Sequence, residues 1–583
     1  MSETPSPLVW QDGQPRSRLF GDIYYSLEDG LAETRAVFLD GCGLPDAWAG
    51  RSRFTVAELG FGTGLNIAAL LDLWSRTRPA DGHLHIFSVE AYPLERDEAA
   101  AALGAWPAIA GASRALLDRW PGRRRGFHRI DLPAFSATFD LAVMDVAAAL
   151  RAWSGAADAW FLDGFSPALN PDMWREDILA LVGARSAPGA VAATFTVAGA
   201  VRRGLVAAGF EVAKRPGHGR KRERLEARLP GSPVEARDPR VLIVGGGIAG
   251  AGLARAFAAL GAEAQVIRNR AQVMASGNRA ALVAPALDAG GGPRAAFYAQ
   301  ALARATALYD ATPGAVIARG ALQMEAAPRD AARFDAVSRQ DLFEPGGVSR
   351  LSPRETAERL GEAAAPGALF LDEARVVEPD KVLADWLPDA TDGQVVSLLP
   401  YGEGWRAELA DGATVDGDVA VLAGGWGSAA LSADLPLKPV RGQATFCPAE
   451  GTIVASASGA YAVPAPGGAL FGATHDREDV AVEVRPGDDD RNRAALAALR
   501  PALAARLADQ AAEGRASIRA TTPDRMPIVG EIAPGLFVLT GLGSRGFTTA
   551  PLLAEHVAAV VLGAPSPLPA DCAGLISPAR FGA

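Results

Sequence analysis

The stretch VLIVGGGIAGAG, residues 241–252, limits most sharply what this chain can fold into. A β-branched apolar run enters a cluster of glycines and leaves into small residues. That is the pattern of a strand, a tight turn and a helix that together cradle a dinucleotide pyrophosphate. Gly245, Gly247 and Gly250 fill a G-x-G-x-x-G frame, and AGLARAFAALG continues as the helix. Such a loop ordinarily opens a domain. Here about 240 residues precede it. Either the glycines cluster by chance, or a complete unit comes first.

At 583 residues the chain has room for two or more domains. Its share of apolar residues (49%) and of charged residues (21%) is that of a globular protein with sizeable cores. No run approaches the length needed to span a bilayer, and the opening MSETPSPLVWQDGQ has neither the basic nor the apolar segment of an export signal. Cys42, Cys447 and Cys572 lie too far apart for a disulfide framework and fit a reducing compartment. A cytoplasmic protein with no membrane attachment is expected, and a monomer. The six histidines form no metal-spaced cluster. His83 and His85 alternate on a predicted strand, where two imidazoles alone read as structural, so no metal is expected.

Charge is informative once divided. Residues 1–236 hold 26 Lys and Arg against 28 Asp and Glu, a net of −2, while the remainder nets −8. A globally acidic chain is not a generic nucleic-acid binder. Yet RRGLVAAGFEVAKRPGHGRKRERLEAR (202–228) carries nine Lys and Arg against three Glu, and RRR occupies 123–125. Such a strip is either a solvated face or the landing place of a large anionic partner.

In the first half, FTVAELGFGTGLNIAALLDLW (54–74) reads as strand, glycine loop and amphipathic helix. Gly60, Gly62 and Gly64 let a ligand approach at the carboxyl end of the strand, where open α/β sheets bind ligands. Glu58, just before the first glycine, is unsuited to a phosphate and suits a cationic ligand such as S-adenosyl-L-methionine. A second strand, HLHIFSVE, ends in Glu90, placed for ribose hydroxyls, and a third, FDLAVMD, ends in Asp145, placed near an adenine amino group. A further strand in AWFLDGFSPALNPDMW (159–174) stops at Asp163, followed by Gly164, Phe165, Ser166 and Pro167. Methyltransferases that act on amino groups put a short acidic or amide turn with an aromatic here. The carboxylate holds the amine with its lone pair aimed at the methyl group, and the ring packs on a flat base. A helix N-cap or a buried turn aspartate is the competing reading.

Longer strings carry a resemblance. SRLFGDIYYSLEDGLAETRAVFLDG (17–41), ELGFGTGLN, WFLDGFSPALNPDMW and TFTVAGAVRRGL…AGF…KRPGHGRKRE closely resemble the methyltransferase half of the MnmC family, over nearly all of residues 8–228. These bifunctional bacterial enzymes complete 5-methylaminomethyl-2-thiouridine at the tRNA wobble position. The resemblance implies a tRNA anticodon arm as partner of the basic strip.

The Pro-rich stretch LPGSPVEARDP (229–239) then reads as a linker. The division expected is a methyltransferase domain over 1–230, a linker over 231–239 and an FAD domain over 240–583. Beyond the opening loop, the strand AEAQVI should end in an acid that holds a ribose, but the sequence has Arg268-Asn269-Arg270. An arginine there hints at the 2′-phosphate of NADP. Against this, DVAVLAGGWGS (418–428) and IRATTPDRMPIVGEIAPGLFVLTGLGSRGFTTAPLLAE (518–555) resemble flavin-contacting segments of the D-amino-acid oxidase class, including Gly543 and Gly546. MASGNRAALVAP (274–285) resembles the oxidase half of the MnmC family. The resemblance implies FAD. The fold class is therefore α/β: a Rossmann-like S-adenosylmethionine methyltransferase domain, then a D-amino-acid-oxidase-like FAD domain with an antiparallel-sheet substrate subdomain.

The family's substrate supplies the chemistry. A 5-carboxymethylaminomethyl uridine is an N-substituted glycine. Its methylene can lose a hydride to flavin, and water splits the resulting imine into glyoxylate and the primary amine that the first half methylates. In glycine and sarcosine oxidase relatives the arginine before the Thr-Pro-Asp run grips the substrate carboxylate. The resemblance gives that role to Arg519, with Arg525 as its rival. Arg545 would position flavin or tRNA. Two other readings stand beside this one: a free amino-acid oxidase fused to a small-molecule methyltransferase, and a nucleotide-loaded RNA-binding scaffold. Asp163 and Arg519 speak against the scaffold, and the basic strip against a free amino acid.

Overall fold

The computed structural model describes residues 7–25, 30–219, 221–233 and 238–582. The chain forms two compact units. One comprises Met1–Arg237, Ala259–Gly261 and Leu562–Ala570; the other comprises Asp238–Ala258, Ala262–Val561 and Asp571–Ala583.

The first unit is built on an eight-stranded sheet. Its strands are β1 (Arg53–Leu59), β2 (His83–Val89), β3 (Gly126–Leu132), β4 (Ala137–Val143), β5 (Ala157–Leu162), β6 (Ser186–Thr194), β7 (Glu211–Pro216) and β8 (Glu223–Arg228). Their order across the sheet is β3-β4-β2-β1-β5-β6-β8-β7. The five central strands β4, β2, β1, β5 and β6 pair in parallel. Parallel strands need crossovers that cover both faces, which is why β2 and β4 are buried at every position. Helix α1 (Leu65–Thr77) leaves the end of β1 and buries Leu65, Ile67, Leu70, Leu71 and Trp74 against the sheet. From β1 the chain first builds outward through β2 to β4, then returns to place β5 on the other side of β1. The strand order reverses between β1 and β5, and ligands bind at the carboxyl ends of strands at such a point.

The histidines of β2 are structural. His83 Nε2 lies 2.9 Å from Thr138 Oγ1 and His85 Nε2 lies 2.9 Å from Asp140 Oδ2, both buried. Burial pushes the Asp140 carboxyl up, but Arg129 and His85 outweigh it and hold it below the usual range. Among the described residues no group of three or more His, Cys, Asp or Glu side chains is arranged to hold a metal. No single described helix is long and apolar enough to cross a membrane.

The second unit has a six-stranded sheet of β9 (Val241–Val244), β10 (Ala264–Arg268), β11 (Ala390–Asp392), β12 (Val419–Leu422), β15 (Ile528–Ala533) and β16 (Leu536–Thr540), ordered β11-β10-β9-β12-β16-β15. All neighbours are parallel except the edge pair β15–β16. A ten-stranded sheet accompanies it. Its long strands β13 (Lys438–Pro448) and β14 (Glu513–Thr521) run antiparallel, with Val440 opposite Arg519. Among the described pairings of this sheet, only the short contact of Leu322–Gln323 with Ser456–Ala457 is parallel. Helix α4 (Pro293–Ala311) is tied to helix α5 (Gly546–Val561) by a buried ion pair, Arg304 Nε to Glu555 Oε2 at 2.9 Å.

Candidate functional site

In the first unit the reversal between β1 and β5 opens a cavity of about 320 Å³. Gly60 has φ +92°, and a Cβ there would collide with the carbonyl oxygen of Asp163. Only glycine lets the end of β1 press against the end of β5 in this way. Gly62 and Gly64 complete the turn into α1, and the Gly62 N–H donates to Glu90 Oε2 at 3.0 Å. The other Glu90 oxygen accepts from Tyr92 N at 2.9 Å. Burial raises the Glu90 carboxyl, and these backbone donors oppose the rise.

Asp163 and Glu90 line the cavity, and Glu58 lies behind Asp163. Glu58 is fully buried: Oε2 accepts from Ser88 Oγ at 2.6 Å and Oε1 from Asn66 Nδ2 at 3.1 Å. The β1–β2 register sets Glu58 opposite Ser88, so the first of these bonds follows from strand pairing. Burial drives the Glu58 carboxyl well above its usual value, opposed by Ser88 and Asn66 and reinforced by Asp163 and Glu90. Asp163 Oδ2 accepts from Asn66 Nδ2 at 2.7 Å. Burial pushes its carboxyl up to about 7, with Asn66 and Lys221 pulling it down and Glu33 and Asp22 pushing it further up. A carboxyl raised in this way suits proton transfer.

The turn after Asp163 is clamped from both sides. Ser166 N donates to Asp22 Oδ2 at 2.8 Å, and Trp174 Nε1 donates to the Phe165 carbonyl at 2.9 Å. The Phe165 ring sits 5.1 Å from Phe20 and 5.2 Å from Tyr24, making an aromatic wall beside the acid. Lys221 lines the same cavity, paired with Glu33 at 2.7 Å and resting 4.0 Å over the Phe195 ring.

Asp145 does not line this cavity. Its Oδ1 caps helix α2 (Val146–Ala152), accepting from Ala147 N at 2.9 Å and Ala148 N at 3.1 Å. In the basic strip, Lys214, Arg215, Lys221 and Arg224 are ion-paired. Arg202, Arg203 and Arg222 are exposed and have no ion pair among the described residues. Arg220 lies outside the described residues.

In the second unit three glycine-bearing loops follow the carboxyl ends of the neighbouring parallel strands β9, β12 and β16. A Cβ at Gly250 would collide with the Gly245 carbonyl, and one at Gly245 would fall 2.5 Å from the Ala423 carbonyl. The loop therefore tolerates no side chain at either position. Gly247 opens helix α3 (Ile248–Ala259), whose first N–H donates to Ser276 Oγ at 3.1 Å. Gly543 and Gly546 bracket the turn from β16 into α5, and Thr540 Oγ1 donates to the Gly425 carbonyl at 3.0 Å. Bare backbone at a helix N-terminus suits a pyrophosphate. At the end of β10, Arg268 lays its stem over Gly246, and its Nε is buried without a partner among the described residues. The nearby acid comes from β11: Asp392 Oδ1 accepts from Arg270 N at 3.1 Å.

Arg519 covers Gly442 on β13, where any Cβ would strike its guanidinium. Its one described hydrogen bond is a long one, to the Thr474 carbonyl at 3.4 Å. No ion pair of Arg519 occurs among the described residues. Burial lowers its pKa, offset in part by Tyr461. Arg525 instead sits on an exposed turn with φ +63°. Arg545 donates to the Ala284 carbonyl at 2.8 Å and so fastens the β16–α5 turn.

Residues 107–230 match the S-adenosyl-L-methionine-dependent methyltransferase family, and residues 240–560 match the FAD dependent oxidoreductase family. Over 580 residues the chain is 60% identical to the tRNA 5-methylaminomethyl-2-thiouridine biosynthesis bifunctional protein MnmC of Caulobacter vibrioides, covering 99% of this chain and 98% of that one. The chain belongs to the MnmC family. The MnmC of Maricaulis maris is 40% identical over 99% of this chain and 96% of its own. Among solved structures, iminodiacetate oxidase from Chelativorans is similar to the second unit's fold, at 25% identity and a TM-score of 0.51, over 58% of this chain and 99% of that one.

The sequence singles out the strand-end acids and places Lys221 in the basic strip, but it does not point to Asn66, Thr34 or Glu33. Asn66 stands in plain view in the GFGTGLN string. Its partners Thr34, Glu58 and Asp163 stand on a helix and on two strand ends that only the fold brings together.

Proposed function

We propose that this chain carries out two successive steps on a tRNA wobble uridine. The first is FAD-dependent oxidative removal of the carboxymethyl group from 5-carboxymethylaminomethyl-(2-thio)uridine. The second is S-adenosylmethionine-dependent N-methylation of the resulting 5-aminomethyl-(2-thio)uridine to 5-methylaminomethyl-(2-thio)uridine. Residues 1–230 serve methylation and 240–583 oxidation, joined through 231–239. The partner is a tRNA anticodon arm, and the enzyme works as a cytoplasmic monomer.

One observation carries the reading: Asp163 ends β5 inside an aromatic-walled cavity with one oxygen tied to Asn66 and its Oδ1 without a partner among the described residues. That oxygen can accept a hydrogen bond from the substrate amine, orient its lone pair and take up the proton released on methylation. Phe165, Phe20 and Tyr24 offer faces for a flat base. Glu90 offers its remaining lone pairs to ribose hydroxyls, and the acidic surroundings suit a cationic methyl donor.

In the second unit the bare glycine loops at Gly245, Gly247, Gly250, Gly543 and Gly546 would hold FAD, which supplies a two-electron acceptor when bound. Arg519, a desolvated cation with no carboxylate partner among the described residues, grips the substrate carboxylate. This fixes the methylene between carboxylate and nitrogen. Loss of a hydride from that methylene and of a proton from the nitrogen leaves an imine, and added water splits it into glyoxylate and the primary amine. The name of the similar iminodiacetate oxidase supports this assignment, since iminodiacetate is itself an N-carboxymethyl amine.

The experiment incubates the purified protein with undermodified tRNA, with and without S-adenosylmethionine, and identifies the nucleosides by mass. The reading expects the aminomethyl nucleoside without the methyl donor and the methylaminomethyl nucleoside with it. Unaltered tRNA in both arms would refute it.

A further inference from the structure

We infer that Asn66 is the positioning residue of methyl transfer: its carboxamide decides which oxygen of Asp163 is left to receive the substrate amine. The inference rests on the methyltransferase reading above and extends it to a residue that touches neither reacting atom.

Asn66 stands in the first turn of α1 and is 7% exposed. Its Oδ1 accepts from Thr34 Oγ1 at 2.8 Å. Its Nδ2 has two protons and two acceptors, Glu58 Oε1 at 3.1 Å and Asp163 Oδ2 at 2.7 Å. Turning the amide over would face its carbonyl oxygen toward two carboxyl groups and lose the Thr34 donor. The hydrogen-bond pattern therefore admits one orientation. Thr34 holds the amide, and the amide holds Oδ2 of Asp163. Oδ1 is left for the amine.

Every element packed around Asp163 contributes to its charge state. Lys221 and the Asn66 donor favour the carboxylate, while Glu33, Asp22 and Glu58 oppose it. Lys221 is itself occupied by Glu33 at 2.7 Å, so its support is shared. Asn66 is the one described residue that hydrogen-bonds the Asp163 side chain. Without it the carboxylate is less favoured in its buried setting, and its rotation about the Cβ–Cγ bond is released.

The test is single-turnover methylation of tRNA carrying 5-aminomethyl-2-thiouridine, with saturating S-adenosylmethionine, from about pH 6 to about pH 9. Wild type, Asn66→Ala, Thr34→Val, Asp163→Asn and the Asn66→Ala/Asp163→Asn double variant are compared, with thermal unfolding checked for each. Asn66→Ala is expected to lose about ten- to a hundredfold in rate near neutral pH. Its acid limb should move to higher pH, so that the deficit narrows as the pH rises. Thr34→Val should move the limb the same way by less. In the Asp163→Asn background, removing Asn66 should cost less than about twofold. A deficit equal at every pH, with effects that multiply in the double variant, would overturn the inference and leave the methyltransferase reading intact. If Asn66→Ala fails to fold, Thr34→Val decides: an unmoved acid limb overturns the inference. If wild type does not methylate this tRNA, the methyltransferase reading falls and the inference with it.

Discussion

Two strand–glycine-loop–helix junctions in this protein share a topology and differ in charge. At the end of β1 the loop Gly60–Gly64 is surrounded by carboxyl groups, with Glu58, Glu90 and Asp163 all raised by burial. At the end of β9 the loop Gly245–Gly250 carries no acid of its own. The following strand ends in Arg268, and the desolvated Arg519 belongs to the same unit. A glycine turn supplies close approach of backbone to ligand and nothing more. The groups around it set the charge a ligand meets: carboxyl groups in the first unit, backbone N–H groups and arginines in the second.

The largest effect expected from breaking this contrast is at Arg519. Arg519→Ala should keep a near-normal flavin spectrum yet lose flavin reduction by carboxymethylated tRNA. Removing one partner of such a pair costs about 2–5 kcal/mol, so the rate should fall by tens to thousands of times. Arg519→Lys should recover only part, because a point charge does not reproduce a planar two-bond fit. Rapid-mixing spectroscopy of flavin reduction checks it. A wild-type rate in Arg519→Ala would move the carboxylate partner elsewhere.

On the acidic side, Asp163→Ala should slow methylation by about 10²-fold or more while oxidation continues. The primary-amine nucleoside should then accumulate in digests analysed by mass. Normal amounts of the methylated nucleoside would remove Asp163 from the chemistry.

The pH dependence separates the two halves further. Burial lifts the Asp163 carboxyl to about 7, and the carboxylate is the form that accepts a proton. Methylation at saturating substrates should therefore rise about tenfold per pH unit below that value and level off above it. Arg519 stays charged over the same range, so substrate-carboxylate binding in the other unit should not follow this titration. A methylation profile flat from about pH 5.5 to about pH 8 would contradict the assignment.

The smallest effect concerns the basic strip. Exposed Arg202 and Arg203 have no ion pairs among the described residues, whereas Lys214 and Arg215 are paired with Glu223 and Glu226. Charge reversal at Arg202 and Arg203 should weaken tRNA binding and lower the salt slope by roughly 0.7–0.9 per lost phosphate contact. Reversal at Lys214 and Arg215 should change the slope less. Equal effects from both pairs, read by filter binding at several salt concentrations, would return the strip to a solvated face.

Much of the fold was legible because glycine loops and strand-ending acids are local signals. A tight turn with φ near +92° at Gly60 calls for glycine whatever surrounds it, and an acid after an apolar run marks a strand end. The family was legible for the same reason, since its long strings record many such local requirements at once. Side-chain partnership was not. Asp145 and Asp163 both end strands of one sheet, yet Asp145 caps the helix that follows it and Asp163 faces the cavity. The sequence marks Asp163 by the Gly-Phe-Ser-Pro turn after it, but it does not show that Asp145 is spent on capping a helix. After β10 the sequence has Arg268 instead of an acid, and parallel pairing sets Asp392 of β11 directly opposite it.

The sequence by itself determined the two nucleotide-type loops and the acids and arginines near each in the chain. Those follow from backbone geometry, hydrophobic period and charge, which act between near neighbours. Only the tertiary structure decided how those groups are spent. It brings Asn66 to Asp163 across 97 residues of chain and turns Lys221 out of the basic strip to rest over Phe195 in the cavity. A hydrogen bond or a cation–π contact is made within a few ångströms, and that distance is set by which strand ends converge.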